Sequence, residues 1–307
     1  MVSKHAAPMG DQHLTDSINT QLNVAAIQMV SGPNLDANLA AAARLIEKAA
    51  RAGAQWVVLP ENFALMGSDA MREFGEREET DTAPLQRFLS AQARDHKVWL
   101  FGGTIPRVSP SLGAHPSFNF TTLSDASPSK TYAAVHTYDD TGRLVARYDK
   151  VHLFDAGVDD GVGQYCESKT FAPGNHIGIV ETPWGRAGVS VCYDLRFPEY
   201  YRALAHQGVD FFIVPSAFTY QTGTAHWSPL LRCRAIENQA FMIAANQGGY
   251  HSESRRTYGH SCIIDGWGTV LAEQLDEGEG VVCTTLNLKA LRELRQKMPV
   301  LSHQRLL

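Results

Sequence analysis

Short apolar runs of strand character alternate with longer amphipathic runs from Asn23 to Asn246, and this alternation restricts the chain to a layered α/β architecture. Residues 23–29 read as a strand, 36–52 as an alanine-rich amphipathic helix and 55–59 as a second strand. A helix is predicted over 85–96, with a strand over 98–102 behind it. Residues 131–138 and 144–148 flank the polar stretch 139–142 and read as a β-hairpin. Further strands are expected at 186–192, 211–215 and 241–246, with helices at 200–207 and 228–238 between them. The Ser- and Pro-rich segment 106–130 reads as a surface loop carrying a short strand near 118–123. With no internal repeat and no linker-like break, residues 21–307 are expected to form one domain behind a polar, disordered leader over 1–20.

Three of the expected strands end in a reactive side chain. The run Gly188-Val-Ser-Val-Cys192-Tyr-Asp-Leu-Arg196 delivers a thiol from an apolar strand straight into a polar, helix-like segment. A strand-to-helix turn exposes a nucleophile, and the free N–H groups at the helix start lower a thiol pKa and bind an oxyanion. Taken alone, a cysteine after a buried strand is by default an inert core residue. Trp56-Val-Val-Leu-Pro60 then presents Glu61, which reads either as a surface charge or as a general base half buried at a strand end. Arg147-Tyr-Asp-Lys150-Val-His-Leu-Phe presents Lys150, either solvated or held as a fixed cation among apolar neighbours.

Glu, Lys and Cys in this order resemble the nitrilase superfamily of carbon–nitrogen hydrolases. Longer motifs resemble its Nit subfamily: Pro60-Glu-Asn62, Asp149-Lys-Val-His-Leu-Phe-Asp155, Glu167-Ser-Lys-Thr-Phe-Ala-Pro-Gly174 and Val191-Cys-Tyr-Asp-Leu-Arg-Phe-Pro-Glu199. Pro215-Ser-Ala-Phe218, Thr222-Gly-Thr-Ala-His-Trp227, Arg232-Cys-Arg-Ala-Ile-Glu237 and Tyr258-Gly-His-Ser261 add to them. The resemblance implies a four-layer αββα sandwich with two mixed sheets, assembled at least as a homodimer. It also implies that Cys192 attacks an amide carbonyl, that Glu61 moves the protons, and that Lys150 with the backbone N–H of Tyr193 holds the oxyanion. Glu167 matches a glutamate that positions substrate and lysine. Arg196 matches a position that binds an α-keto acid carboxylate, with Phe218 and Thr222 lining the same pocket; a structural ion pair to Glu199 or to a loop acid is the other reading of Arg196. Such a site suits the 2-oxoglutarate half of deaminated glutathione, and Pro215-Ser-Ala-Phe-Thr219 resembles that branch. The alternatives are 2-oxoglutaramate, an N-carbamoyl amino acid or a nitrile. Two positions depart from the family pattern: Ser228 replaces a glutamate near the matched active-site loop, where it would alter substrate preference, and Gly266 replaces a proline in a turn.

Composition narrows the partners. A net charge of −5 provides no basic footprint for nucleic acid. No apolar run approaches the roughly 20 residues that span a bilayer. Twelve histidines and five cysteines include neither His-Glu-x-x-His nor paired Cys-x-x-Cys, so no metal is expected. His152, His226 and His260 are expected to orient neighbours instead. Gly102-Gly103 and Gly248-Gly249 lack dinucleotide-site spacing, so no cofactor is expected either. The odd, scattered cysteines fit a reducing compartment, which points to a cytoplasmic location, while the small-molecule amide substrate is what the resemblance implies.

Overall fold

The structure, a computed structural model, describes residues 20–67, 70–110 and 130–306. Most of the expected leader and the strand expected near 118–123 lie outside the described residues. The chain begins with β1 (Gln21–Gln28), α1 (Leu35–Arg51), β2 (Trp56–Val58), α2 (Met71–Arg77) and α3 (Pro84–His96). It continues through β3 (Trp99–Phe101), β4 (Ile105–Arg107), β5 (Tyr132–Tyr138), β6 (Leu144–Asp149), β7 (Asp155–Gly157) and β8 (Gln164–Cys166). Next come β9 (Gly178–Thr182), β10 (Gly185–Val189), α4 (Pro198–His206), β11 (Phe211–Ser216), α5 (Tyr220–Asn238) and β12 (Phe241–Asn246). The last elements are β13 (Gly248–Tyr250), β14 (Arg256–Tyr258), β15 (Cys262–Ile264), β16 (Val270–Glu273), β17 (Gly280–Asn287) and α6 (Leu288–Lys297).

Two mixed sheets form the middle of a four-layer αββα sandwich. One has the order β17-β1-β2-β3-β5-β4 with β6 paired to β5; the other runs β16-β15-β12-β11-β10-β9. The period-2 alternation of β1 explains the layering. Leu22, Val24 and Ala26 enter the core between the sheets, while Ala25 and Ile27 face a second core with Leu45 and Ile46 of α1 and Leu89 of α3. Trp56 fills the inter-sheet space, its ring 4.8 Å from Phe211 and 5.3 Å from Phe101. On the other side of β11, Phe212 packs 4.9 Å from Tyr201 of α4. Strands buried on both faces read as unbroken apolar runs, as in Phe211–Ser216 and Phe241–Asn246.

Local chemistry sets several boundaries as expected. Asn34 caps α1 by accepting from Ala37 N at 3.0 Å. In the β5–β6 hairpin, Asp139 Oδ1 accepts from the amides of Thr141 and Arg143, both at 3.0 Å. Helix α5 differs: it starts at Tyr220 rather than Ser228, because Thr219 caps it and Gly223 is built into its first turns. A Cβ at Gly223 would stand 2.2 Å from Cβ of Tyr258, so glycine here allows β14 to lie against the helix. The pairing of β17 with β1 along its whole length was not readable from local pattern.

Candidate active site

Glu61, Lys150 and Cys192 arrive at one point from the ends of β2, β6 and β10. Lys150 is 2% exposed and Glu61 4%, so their charges must be paired in place. Lys150 Nζ donates to Glu61 Oε1 at 2.8 Å and to both oxygens of Glu167 at 2.9 and 2.8 Å. Glu167 lies in a single 3₁₀ turn, and its Oε2 also accepts from the Phe154 amide at 2.7 Å. Burial pulls the Lys150 ammonium down, but the carboxylates of Glu167 and Glu61 outweigh it and hold the pKa well above the usual lysine value. Burial also raises the Glu167 carboxyl, against the pull of Lys150. Glu61 is buried more deeply than a half-buried strand-end base, because its own carbonyl is gripped by Gln247 Nε2 at 3.0 Å.

Cys192 opens a 3₁₀ turn, Cys192–Arg196, with φ at +46°, a conformation that costs an L-residue energy and that places the side chain at a sharp bend. The expected low thiol pKa is not found. Burial, and then the charge of Glu61, push the Cys192 thiol well above the ordinary cysteine value, and Lys150 and the Ala217 backbone only partly offset them. Cys192 is therefore held as a thiol at rest, with Glu61 beside it as the group that can accept the proton as sulfur attacks.

Asp194 is a residue of the site that sequence reasoning passed over. Fully buried, it accepts from Val191 N at 2.8 Å and Tyr148 OH at 2.7 Å through Oδ2. Its Oδ1 accepts from His152 N at 3.0 Å and contacts His152 Nδ1 at 2.7 Å. One carboxylate thus ties the Cys192 bend to the segment that carries Lys150. An acid three residues after the residue that caps the turn, reaching back to the amide of that residue, is the pattern that could have revealed it. His152 orients a neighbour as expected, and so do His226, 3.3 Å from Arg196 Nη1, and His260, 2.8 Å from Glu273 Oε1.

The sulfur faces two connected spaces. A cavity of about 340 Å³ is lined by Glu61, Lys150, Glu167, Tyr165, Arg255 and Cys192 among others. A small adjoining pocket of about 20 Å³ is lined by Tyr193, Arg196, Phe218, Thr222 and, again, Cys192. Arg196 lies 5.4 Å from the Phe218 ring centroid and 5.8 Å from that of Tyr193. Among the described residues it forms no salt bridge, so the ion pair to Glu199 is absent there. Phe218 is positioned by Asn246 Oδ1, which accepts its amide at 3.0 Å. Thr222 bonds Thr219 at the start of α5. Ser228 does not reach either space: Trp227 packs inward, 4.9 Å from Phe218, and one residue on the helix has turned about 100° to the exposed face. Gly266 sits in a turn where Asp265 Oδ1 accepts from Trp267 and Thr269, as expected for a purely local change.

Residues 23–296 match the carbon–nitrogen hydrolase family. The chain is 40% identical over 283 residues to a deaminated glutathione amidase of Yersinia enterocolitica, covering 92% of this chain and 93% of that one. It is 41% identical over 282 residues to a deaminated glutathione amidase of Synechocystis, covering 91% and 97%. The crystal structure of the NitFhit protein of Caenorhabditis elegans superposes with a TM-score of 0.79 at 34% identity, covering 94% of this chain and 66% of that longer one.

Proposed function

This chain belongs to the carbon–nitrogen hydrolase family, and from that premise we propose that it hydrolyses deaminated glutathione to 2-oxoglutarate and Cys-Gly through a thioester on Cys192. The observation that carries the reading is the buried ammonium of Lys150 held between Glu61 and Glu167 beside the thiol. Cys192 Sγ bonds to the amide carbon while its proton passes to Glu61. Lys150 and the Tyr193 backbone N–H stabilise the charge that develops on oxygen. As the C–N bond breaks, Glu61 returns the proton to the departing amine. Water then attacks the thioester, losing a proton to Glu61, and the carboxylic acid leaves as sulfur regains its proton. Glu167 keeps Lys150 charged and aimed. Arg196 holds the α-keto acid carboxylate, with Phe218 and Thr222 forming the walls. The names of the Yersinia and Synechocystis relatives support this substrate.

Purified protein assayed against deaminated glutathione, 2-oxoglutaramate, an N-carbamoyl amino acid and a simple nitrile is expected to show the highest kcat/KM on the first. Much faster turnover of either of the last two overturns the substrate. Arg196→Lys is expected to lower kcat/KM roughly 10- to 150-fold, because an ammonium cannot make the planar two-point contact to a carboxylate. The loss should vanish on an analogue in which that carboxylate is a carboxamide; equal losses on both would make Arg196 a structural residue.

The same reading includes a homodimer or higher homo-oligomer and a cytoplasmic location. The outward face of α5, where Ile236 is 45% exposed beside Pro229 and Cys233, supports the first. Five free thiols support the second. Light scattering of the purified protein and fractionation of cells test them.

A further inference from the structure

We propose that Arg255 is the specificity residue for the leaving group, binding a carboxylate on the amine side of the scissile bond; this rests on the amidase reading above. The two spaces meet at Cys192, so the bond to be cut lies at their junction. Glu61 lines the larger cavity and must protonate the departing amine, which places the leaving group there and the acyl part toward Arg196. Without Arg255, that cavity is anionic: Glu61 and Glu167 face the single ammonium of Lys150. A leaving group with its own carboxylate would be repelled. Arg255 supplies the missing cation. Among the described residues it forms no salt bridge, and its guanidinium lies 5.9 Å from the Tyr165 ring centroid on the cavity wall.

The backbone that carries Arg255 is tied by hydrogen bonds within its turn. Arg255 sits at the end of the turn joining β13 to β14, where its carbonyl accepts from His251 N at 2.9 Å and its amide donates to Ser252 Oγ at 3.1 Å. The hairpin is fastened to the wall of the smaller pocket through Tyr258 N, which donates to the Phe218 carbonyl at 3.0 Å. On the other side, the turn between β7 and β8 packs so tightly that a Cβ at Gly161 would stand 2.7 Å from the Ser254 carbonyl oxygen. Tyr165 itself is fixed by its hydroxyl, which donates to Asp160 Oδ2 at 2.9 Å. The arrangement separates two amides that share an acyl group. A dipeptide leaving group ending in a carboxylate gains the Arg255 contact; ammonia released from 2-oxoglutaramate does not.

The test compares the parent, Arg255→Met and Arg255→Lys on three substrates: deaminated glutathione, the same compound with its C-terminal carboxylate converted to a carboxamide, and 2-oxoglutaramate. The parent is expected to favour the carboxylate over the carboxamide. In Arg255→Met that preference should fall about 10- to 100-fold, the effect of losing a charge-assisted hydrogen bond, with Arg255→Lys in between. Turnover of 2-oxoglutaramate reports on the integrity of the catalytic centre in each variant. Equal parent efficiencies on carboxylate and carboxamide, or a uniform loss on all three substrates in Arg255→Met, overturn the assignment while leaving the amidase reading intact. If the parent cleaves none of the three, the amidase reading fails and the assignment falls with it.

Discussion

Cys192→Ala is expected to lower turnover by on the order of 10⁶-fold, the scale seen when a covalent nucleophile is removed from a preorganised site. Fold and melting behaviour should change little, since the lost atom is a single buried sulfur. Backbone strain adds a second, separable readout. Cys192 holds a φ of +46°, and alanine at that position would keep the strain whereas glycine would release it. Cys192→Gly should therefore be as inactive as Cys192→Ala but more stable by roughly 1 kcal/mol in denaturant unfolding. Appreciable turnover by either variant would remove Cys192 from the mechanism, and equal stability would mean that the bend stores no strain.

Lys150→Met is expected to be the most damaging change outside the nucleophile. It removes the proposed oxyanion donor, at an expected cost of about 10²–10³ in kcat. It also leaves Glu61 and Glu167 buried without the ammonium that both contact, which by comparison with broken buried ion pairs costs about 3–5 kcal/mol of stability. Burial already raises the Glu167 carboxyl in the intact site. Without Lys150, the carboxyl that takes up a proton has a folded-state pKa above its unfolded value. Such a group favours the fold below the unfolded pKa, and that contribution is lost as pH rises through the folded one. The stability deficit of Lys150→Met should accordingly be greater at pH 8 than at pH 5. Denaturant titrations at the two values check this, and Glu61→Gln added to Lys150→Met should recover part of the loss. A deficit independent of pH would contradict the charge arrangement described here.

The three residues proposed to react were readable because each sits where a local pattern changes. Glu61 follows an apolar strand ended by proline, Lys150 follows an alternating strand, and Cys192 follows a buried one; such breaks are set by a few neighbouring side chains. For the same reason the hairpin 132–149, helices α1 and α3, and strands β11 and β12 appear close to their expected bounds. Helix α5 was misjudged at its start because Gly223 and Pro229 weaken the local helical pattern, while the packing of Tyr258 on Gly223 overrides it.

Sequence alone determined the α/β layering, the strand-end positions of Glu61, Lys150 and Cys192, and, through long motifs, the family. Propensity, periodicity and turn chemistry act over a few residues and survive in any one-dimensional reading. Only tertiary structure decided that β17 closes the sheet against β1, and that Asp194 ties the Cys192 bend to His152 beside Lys150. It also decided that Ser228 faces outward and that Arg255 enters the cavity. The thiol's raised pKa belongs with these, because Glu61 is distant in sequence and adjacent in space, and Coulomb interaction and desolvation depend on distance and burial, which a linear sequence does not contain.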